Sequence, residues 1–128
     1  MINLMEYMIV KKSWWDTVDH AASDLTGPYF KLFPEQIIKI TGRWNGSDNF
    51  WLQRSSIMFQ KKYRKDTDTL LLSKYILLHT DSKEFFIQKA IGWALREYGK
   101  TDQAWVKRFV QQNKLSPLSK REALKSIP

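Results

Sequence analysis

Apolar positions along the chain recur at intervals of three and four rather than two, and Pro and Gly fall between the periodic stretches. No Asn-Gly or Asp-Gly hairpin separates alternating segments. The pattern predicts an all-α fold. Helices are expected over residues 2–11, 13–26, 34–42, 47–63, 67–78, 82–99, 102–113 and 117–127.

Start signals organise these helices. Ser13, Ser47, Ser82 and Ser116 each stand just before a helix, where a hydroxyl can accept from an otherwise unpaired N–H. Their spacings are 34, 35 and 34 residues. Pro34 and Pro117 suit first-turn positions, and Asp81-Ser-Lys-Glu84 has the form of a variant capping box. A period in this range is the mark of a helical solenoid, in which each pair hides its apolar side against its neighbours. The Trp-x-x-Leu-Gly-x-x-Tyr pattern of tetratricopeptide repeats is absent. The expectation is a single HEAT-like α-solenoid domain of about four helix pairs, at about 1–33, 34–66, 67–101 and 102–128.

Projection at about 100° per residue sorts the large side chains. In the helix over 82–99, Ile87, Ile91, Leu95 and Tyr98 form an apolar stripe. Trp93 lies nearly opposite, among Lys89, Arg96 and Lys100. Most tryptophans at helical spacing are core, but an indole among cations suits a nucleic-acid face. In the helix over 13–26, Trp14 projects with Val18, Ala21 and Leu25, as core residues would, whereas Trp15 projects with Asp19, Ala22 and Thr26. A spacing of four stacks Trp15 and Asp19 on one face, and small neighbours leave room for a ligand. The bland reading of Asp19 is a solvated helix carboxylate. Arg54 lies on the corresponding helix of the second repeat, and its projection assigns no face. Lys61-Lys62-Tyr63-Arg64-Lys65 is a basic cluster with an aromatic inside it, suited to phosphate contacts, although a solvated helix end explains most such runs.

Composition narrows the function. A chain of 128 residues with 43% hydrophobic content can bury a core, and it contains no cysteine. No signal segment and no apolar run of bilayer length appears, so a cytoplasmic address without membrane contact is expected. The net charge of +8 is unevenly spread: residues 1–46 carry five Lys/Arg against five Asp/Glu, and residues 47–128 carry sixteen against eight. A localised basic excess is the footprint of a phosphate binder, with anionic membranes and acidic proteins as alternatives. His20 and His79 have no partners at ligand spacing, so no metal site and no cofactor are expected.

Three segments carry a resemblance: Lys12-Ser-Trp-Trp-Asp-Thr-Val-Asp-His20, Trp51-Leu-Gln-Arg-Ser-Ser-Ile57, and Glu84-Phe-Phe-Ile-Gln-Lys-Ala-Ile-Gly-Trp-Ala-Leu-Arg-Glu-Tyr98. It continues through Lys100-Thr-Asp-Gln-Ala-Trp-Val106 and Leu115-Ser-Pro-Leu-Ser-Lys-Arg-Glu-Ala-Leu124. In these segments the chain resembles the AlkD-like HEAT-repeat DNA alkylation repair glycosylases. The resemblance implies that Asp19 is the catalytic carboxylate, that Trp15 and Trp93 face the lesion, and that Arg54 contacts the DNA backbone. It implies duplex DNA containing cationic N3- or N7-alkyl purines as substrate. Gln53 stands where many relatives have a second arginine.

Lys61, Lys62, Arg64, Lys65, Lys89, Arg96 and Lys100 complete the expected DNA-binding set. A noncatalytic DNA-binding or lesion-sensing module is the alternative, and a protein-interaction scaffold a more distant one. Relatives extend on the N-terminal side. Ile2, Leu4, Met5, Tyr7, Met8, Ile9 and Val10 are too many apolar residues for one neighbouring helix to cover, so a homodimer through that end is expected.

Overall fold

The computed structural model describes residues 2–12, 25–125 and 127. Among the described residues there are eight α-helices and no strand: α1 (Ile2–Lys12), α2 (Thr26–Leu32), α3 (Ile37–Asn45), α4 (Phe50–Met58), α5 (Thr69–Leu77), α6 (Phe85–Gly99), α7 (Gln103–Gln112) and α8 (Pro117–Ala123). Short 3-10 turns lie at Pro34–Gln36 and Arg64–Asp66. The all-α class is as expected. One helix was not anticipated: α2 runs through Gly27 and Pro28, because Pro28 occupies the first turn, where its missing N–H has no intrahelical partner to lose.

The chain divides into two compact units, residues 1–62 and 63–128. In the first, Phe30 of α2 packs edge-on against Trp44 of α3 at 5.8 Å and against Phe59, just after α4, at 5.3 Å. Trp44, Phe30, Ile9 and Met58 are completely buried. Edge-to-face geometry of this kind stabilises by about 0.5–1.5 kcal/mol per pair beyond burial. Buried Trp44 needs a partner for its indole N–H and finds it in α1, where Glu6 Oε2 accepts from Trp44 Nε1 at 2.6 Å and from Arg43 at 2.5 Å. Met5 and Ile9 turn inward from α1, while Leu4 and Tyr7 remain exposed. Asn45 donates to Ser56 Oγ at 2.9 Å, joining α3 to α4 in the interior.

The second unit is built around α6, whose buried side, Ile87, Ala90, Ile91, Ala94 and Leu95, packs chiefly against α8 and also against α7. Gly92 permits the closest approach. A Cβ there would stand 2.5 Å from Glu122 Cβ and 3.0 Å from the Ser119 carbonyl oxygen, inside van der Waals contact with α8. Buried Ser119 of α8 completes the joint by donating from its hydroxyl toward the Gln88 carbonyl oxygen and Oε1, at 2.7 and 2.8 Å. In turn, Gln88 Nε2 donates to the carbonyls of His79, Thr80 and Ser82, which fastens the loop before α6.

The start signals are partly corrected. Ser116 caps α8, accepting from Ser119 N–H at 3.1 Å, with Pro117 at the first position. Ser47 and Ser82 lie further upstream than expected and each accepts from the N–H two residues on, in a turn preceding the helix. Asn49 caps α4, and α6 begins after Glu84 without a side-chain cap, so Asp81-Ser-Lys-Glu84 forms no capping box. Asp68 and Asp102 cap α5 and α7, accepting from Leu71 and Trp105 N–H.

Candidate nucleic-acid interface

The phase of α6 is fixed by its apolar side: Ile87, Ile91 and Leu95 have no exposed surface. Trp93 is therefore turned away from them and is half-buried. Lys89 Nζ and Arg96 Cζ each lie 5.6 Å from the centre of its ring. Lys89 also lies 5.6 Å from the ring of exposed Phe85. At intervals of four, four and three, Phe85, Lys89, Trp93 and Arg96 form a continuous ladder of ring and cation on one side of the helix. Phe85 was not anticipated, although its spacing of four from Lys89 was readable. Each cation–ring contact at such a half-exposed place is worth about 0.5–1 kcal/mol.

Glu122 of α8 steadies this ladder. Its carboxylate accepts from Arg96 at 3.3 Å and pairs with Lys125 at 3.7 Å. Arg96 is thus held in place between a ring and a carboxylate. Lys100 at the end of α6 is exposed and pairs with Glu97 at 3.0 Å, an arrangement that solvent and salt screen readily. Gly92 bears on the Glu122 contact of Arg96, since a Cβ there would press on α8 at Glu122 and Ser119.

In the first unit the setting is different. Arg54 is 1% exposed and lies on α4 beside Ser55, Ser56, Ile57 and Met58, all buried. It is an interior residue in this structure, unlike the surface cation a phosphate contact calls for. No buried side-chain nitrogen or oxygen among the described residues lacks a hydrogen-bond partner. Gln53 donates to the Ser47 carbonyl at 2.5 Å and so braces the start of α4.

Trp14, Trp15, Asp19 and His20 lie outside the described residues. The two residues of that projection which are described reverse its expectation: Leu25 is exposed and Thr26 is completely buried. The cause is Phe30. A spacing of four puts Thr26 on the side of α2 that Phe30 carries into the core.

Within the basic cluster, Lys62, Arg64 and Lys65 are exposed and Lys61 is half-buried. Tyr63 turns inward instead of joining the cationic surface, and burial pushes its phenol up to about 12. Arg64 has a φ of 54°, the left-handed region that a side chain with a Cβ enters at a cost of about 1–2 kcal/mol. No group of acids, histidines or cysteines among the described residues could hold a metal ion. None of the described helices is long and apolar enough to cross a membrane.

A family model described as "DNA alkylation repair enzyme" matches residues 1–127. The chain belongs to the DNA alkylation repair enzyme family. Its fold is similar to the solved structure of a predicted DNA alkylation repair enzyme from Enterococcus faecalis, with a TM-score of 0.90 and 36% identity over 98% of this chain. This chain spans 58% of that protein's length. Among curated proteins none matches. Membership of the alkylation repair family gives the cation and aromatic ladder of α6 a DNA context and makes DNA the partner to test first.

Proposed function

We propose that this chain binds duplex DNA through the α6 ladder and contributes to excision of cationic N3- or N7-alkyl purines, as a DNA glycosylase with HEAT-like repeats at about 1–33, 34–66, 67–101 and 102–128. The observation that carries this reading is a half-buried Trp93 with Lys89 and Arg96 each 5.6 Å from its ring, in a member of the alkylation repair family. The ring already stabilises cations. When phosphates draw Lys89 and Arg96 toward the DNA backbone, its π-face becomes open to a positively charged base or sugar.

Alkylation at N3 or N7 gives the purine a positive charge, so it departs with the electron pair of the C1′–N bond and needs little help from an acid. The sugar then carries oxocarbenium character. A carboxylate near C1′ stabilises that charge and orients a water, which attacks C1′ and loses its proton to leave an abasic site. Asp19 is the proposed carboxylate, and Trp15, four residues before it in the sequence, is proposed to act with it. Lys61, Lys62, Arg64, Lys65 and Lys100 are proposed phosphate contacts. Arg54, given its burial, is proposed to order the interior of its unit, and so to act on DNA through its neighbours. The exposed Leu4 and Tyr7 of α1 favour self-association through that end, which sedimentation at several protein concentrations measures.

The test is release of N7-methylguanine from methylated duplex. Asp19→Asn keeps shape, removes charge and is expected to abolish most release with DNA affinity retained. Trp15→Ala and Trp93→Ala are expected to lower release in protein that remains folded. Equal release by Asp19→Asn and the unchanged chain overturns the assignment. Duplex binding without release by the unchanged chain favours the noncatalytic DNA-binding reading.

A further inference from the structure

A second cationic place lies away from the α6 ladder. Between α7 and α8 a groove of about 390 Å³ is lined by Lys107, Val110, Gln111, Lys120, Leu124 and Ile127. The two lysines and Gln111 are exposed, whereas Val110 is buried and Leu124 and Ile127 are half-buried, so the groove has an apolar floor and a cationic rim. Residues 103–128 contain six Lys/Arg and a single acid, Glu122. That acid is taken up by Arg96 and Lys125. Among the described residues no carboxylate lines the groove.

We propose that this groove binds unpaired nucleic-acid strand, with phosphates on Lys107 and Lys120 and the face of a base or sugar on Val110, Leu124 and Ile127. The site goes beyond duplex binding on α6. A single strand offers an anion and a flat, largely apolar face in each nucleotide, and the groove offers the complement of both. A duplex stacks its bases away and presents mainly phosphate and sugar, which would leave the apolar floor unused. An acidic peptide helix would need anchors from i to i+7, about 10 Å along a channel. A pocket near the lower limit of small-ligand sites suits a compact ligand better. Gln111 at the rim supplies an amide donor and acceptor for a base edge.

The experiment is fluorescence anisotropy with a short labelled oligothymidylate and, separately, an unmodified duplex. Lys107→Ala/Lys120→Ala removes the rim charges, and Gln111→Trp fills the groove at constant charge. Circular dichroism melting confirms that these exposed substitutions leave the fold intact. Both variants are expected to weaken oligothymidylate binding by about tenfold or more while changing duplex affinity by less than about threefold. Absence of oligothymidylate binding by the unchanged chain overturns the proposal. Unchanged binding by Gln111→Trp overturns it too, because charge alone would then suffice. Competition by polyglutamate as strong as that of unlabelled oligothymidylate has the same meaning. Oligothymidylate binding without duplex binding supports the groove and counts against the duplex reading of α6.

Discussion

Each of the two compact units carries a large indole and an arginine on its helices, and the two dispose of them in opposite ways. In residues 1–62, Trp44 and Arg54 are interior: the indole N–H is taken by Glu6 and Arg54 is 1% exposed. In residues 63–128, Trp93 and Arg96 are half-exposed, and Arg96 and Lys89 each lie 5.6 Å from the Trp93 ring centre. Residue type alone does not separate these cases; helical phase does. Trp44 shares a side of α3 with Ile40 and Thr41, both buried, whereas Trp93 is opposite Ile87, Ile91 and Leu95. The lesson is that a tryptophan or arginine becomes a candidate for binding only after its helix has been phased by the aliphatic residues around it.

The largest expected effect is on the interior arginine. Arg54→Ala leaves the groups that satisfied a buried guanidinium without it and is expected to cost about 3–5 kcal/mol, read as a fall in the denaturation midpoint. Arg96→Ala, at the half-exposed position, is expected to cost less than about 1 kcal/mol. Equal costs for the two would erase the distinction between the units.

Next in size is Gly92→Ala. The added methyl meets Glu122 Cβ and the Ser119 carbonyl, so α8 must move outward at about 1–3 kcal/mol. The same movement carries Glu122 away from Arg96. Thermal unfolding measures the first effect and quenching of Trp93 fluorescence by a neutral quencher the second, with greater access expected in the variant. A variant as stable as the unchanged chain would show that α6 and α8 pack less tightly than the geometry requires.

A smaller effect belongs to Tyr63, whose buried phenol has its pKa raised from 10.0 to about 12. Raising the folded value above the unfolded one means that burial stabilises the fold while the phenol is neutral. That contribution is full below pH 10 and is lost as pH rises through about 12. Tyr63→Phe is expected to flatten the fall in stability over this alkaline range, which denaturant titration at a series of pH values would detect. A fall of the same steepness in both proteins would locate the alkaline sensitivity elsewhere.

Much of this was legible in the chain. The threefold and fourfold apolar spacing gave the helical class, and the phase of Ile87, Ile91 and Leu95 turned Trp93 toward Lys89 and Arg96, whereas Lys100 pairs with Glu97. Several details were not, for local reasons. Asn49 is an ordinary capping residue two positions from Ser47, and one or two positions decide which of them closes the first turn; Asp68 and Asp102 cap the two helices that the serine period passes over. Burial of Arg54 was hidden because α4 carries polar or small residues on several sides and so has no apolar stripe to phase it. The inward turn of Tyr63 and the left-handed backbone of Arg64 beside it are not encoded by spacing. The groove between α7 and α8 joins residues from two helices and the segment after them, so no single periodic stretch announced it.

The central claim is that the ladder on α6 meets DNA phosphates, and the salt dependence of duplex affinity tests it most directly. Each phosphate contact contributes about 0.9 to the slope of log affinity against log salt. Lys89→Gln/Arg96→Gln is expected to fold normally, to weaken duplex binding and to reduce that slope by about 2 relative to the unchanged chain. An identical slope in the two proteins would mean that Lys89 and Arg96 touch no phosphate, and would contradict the account.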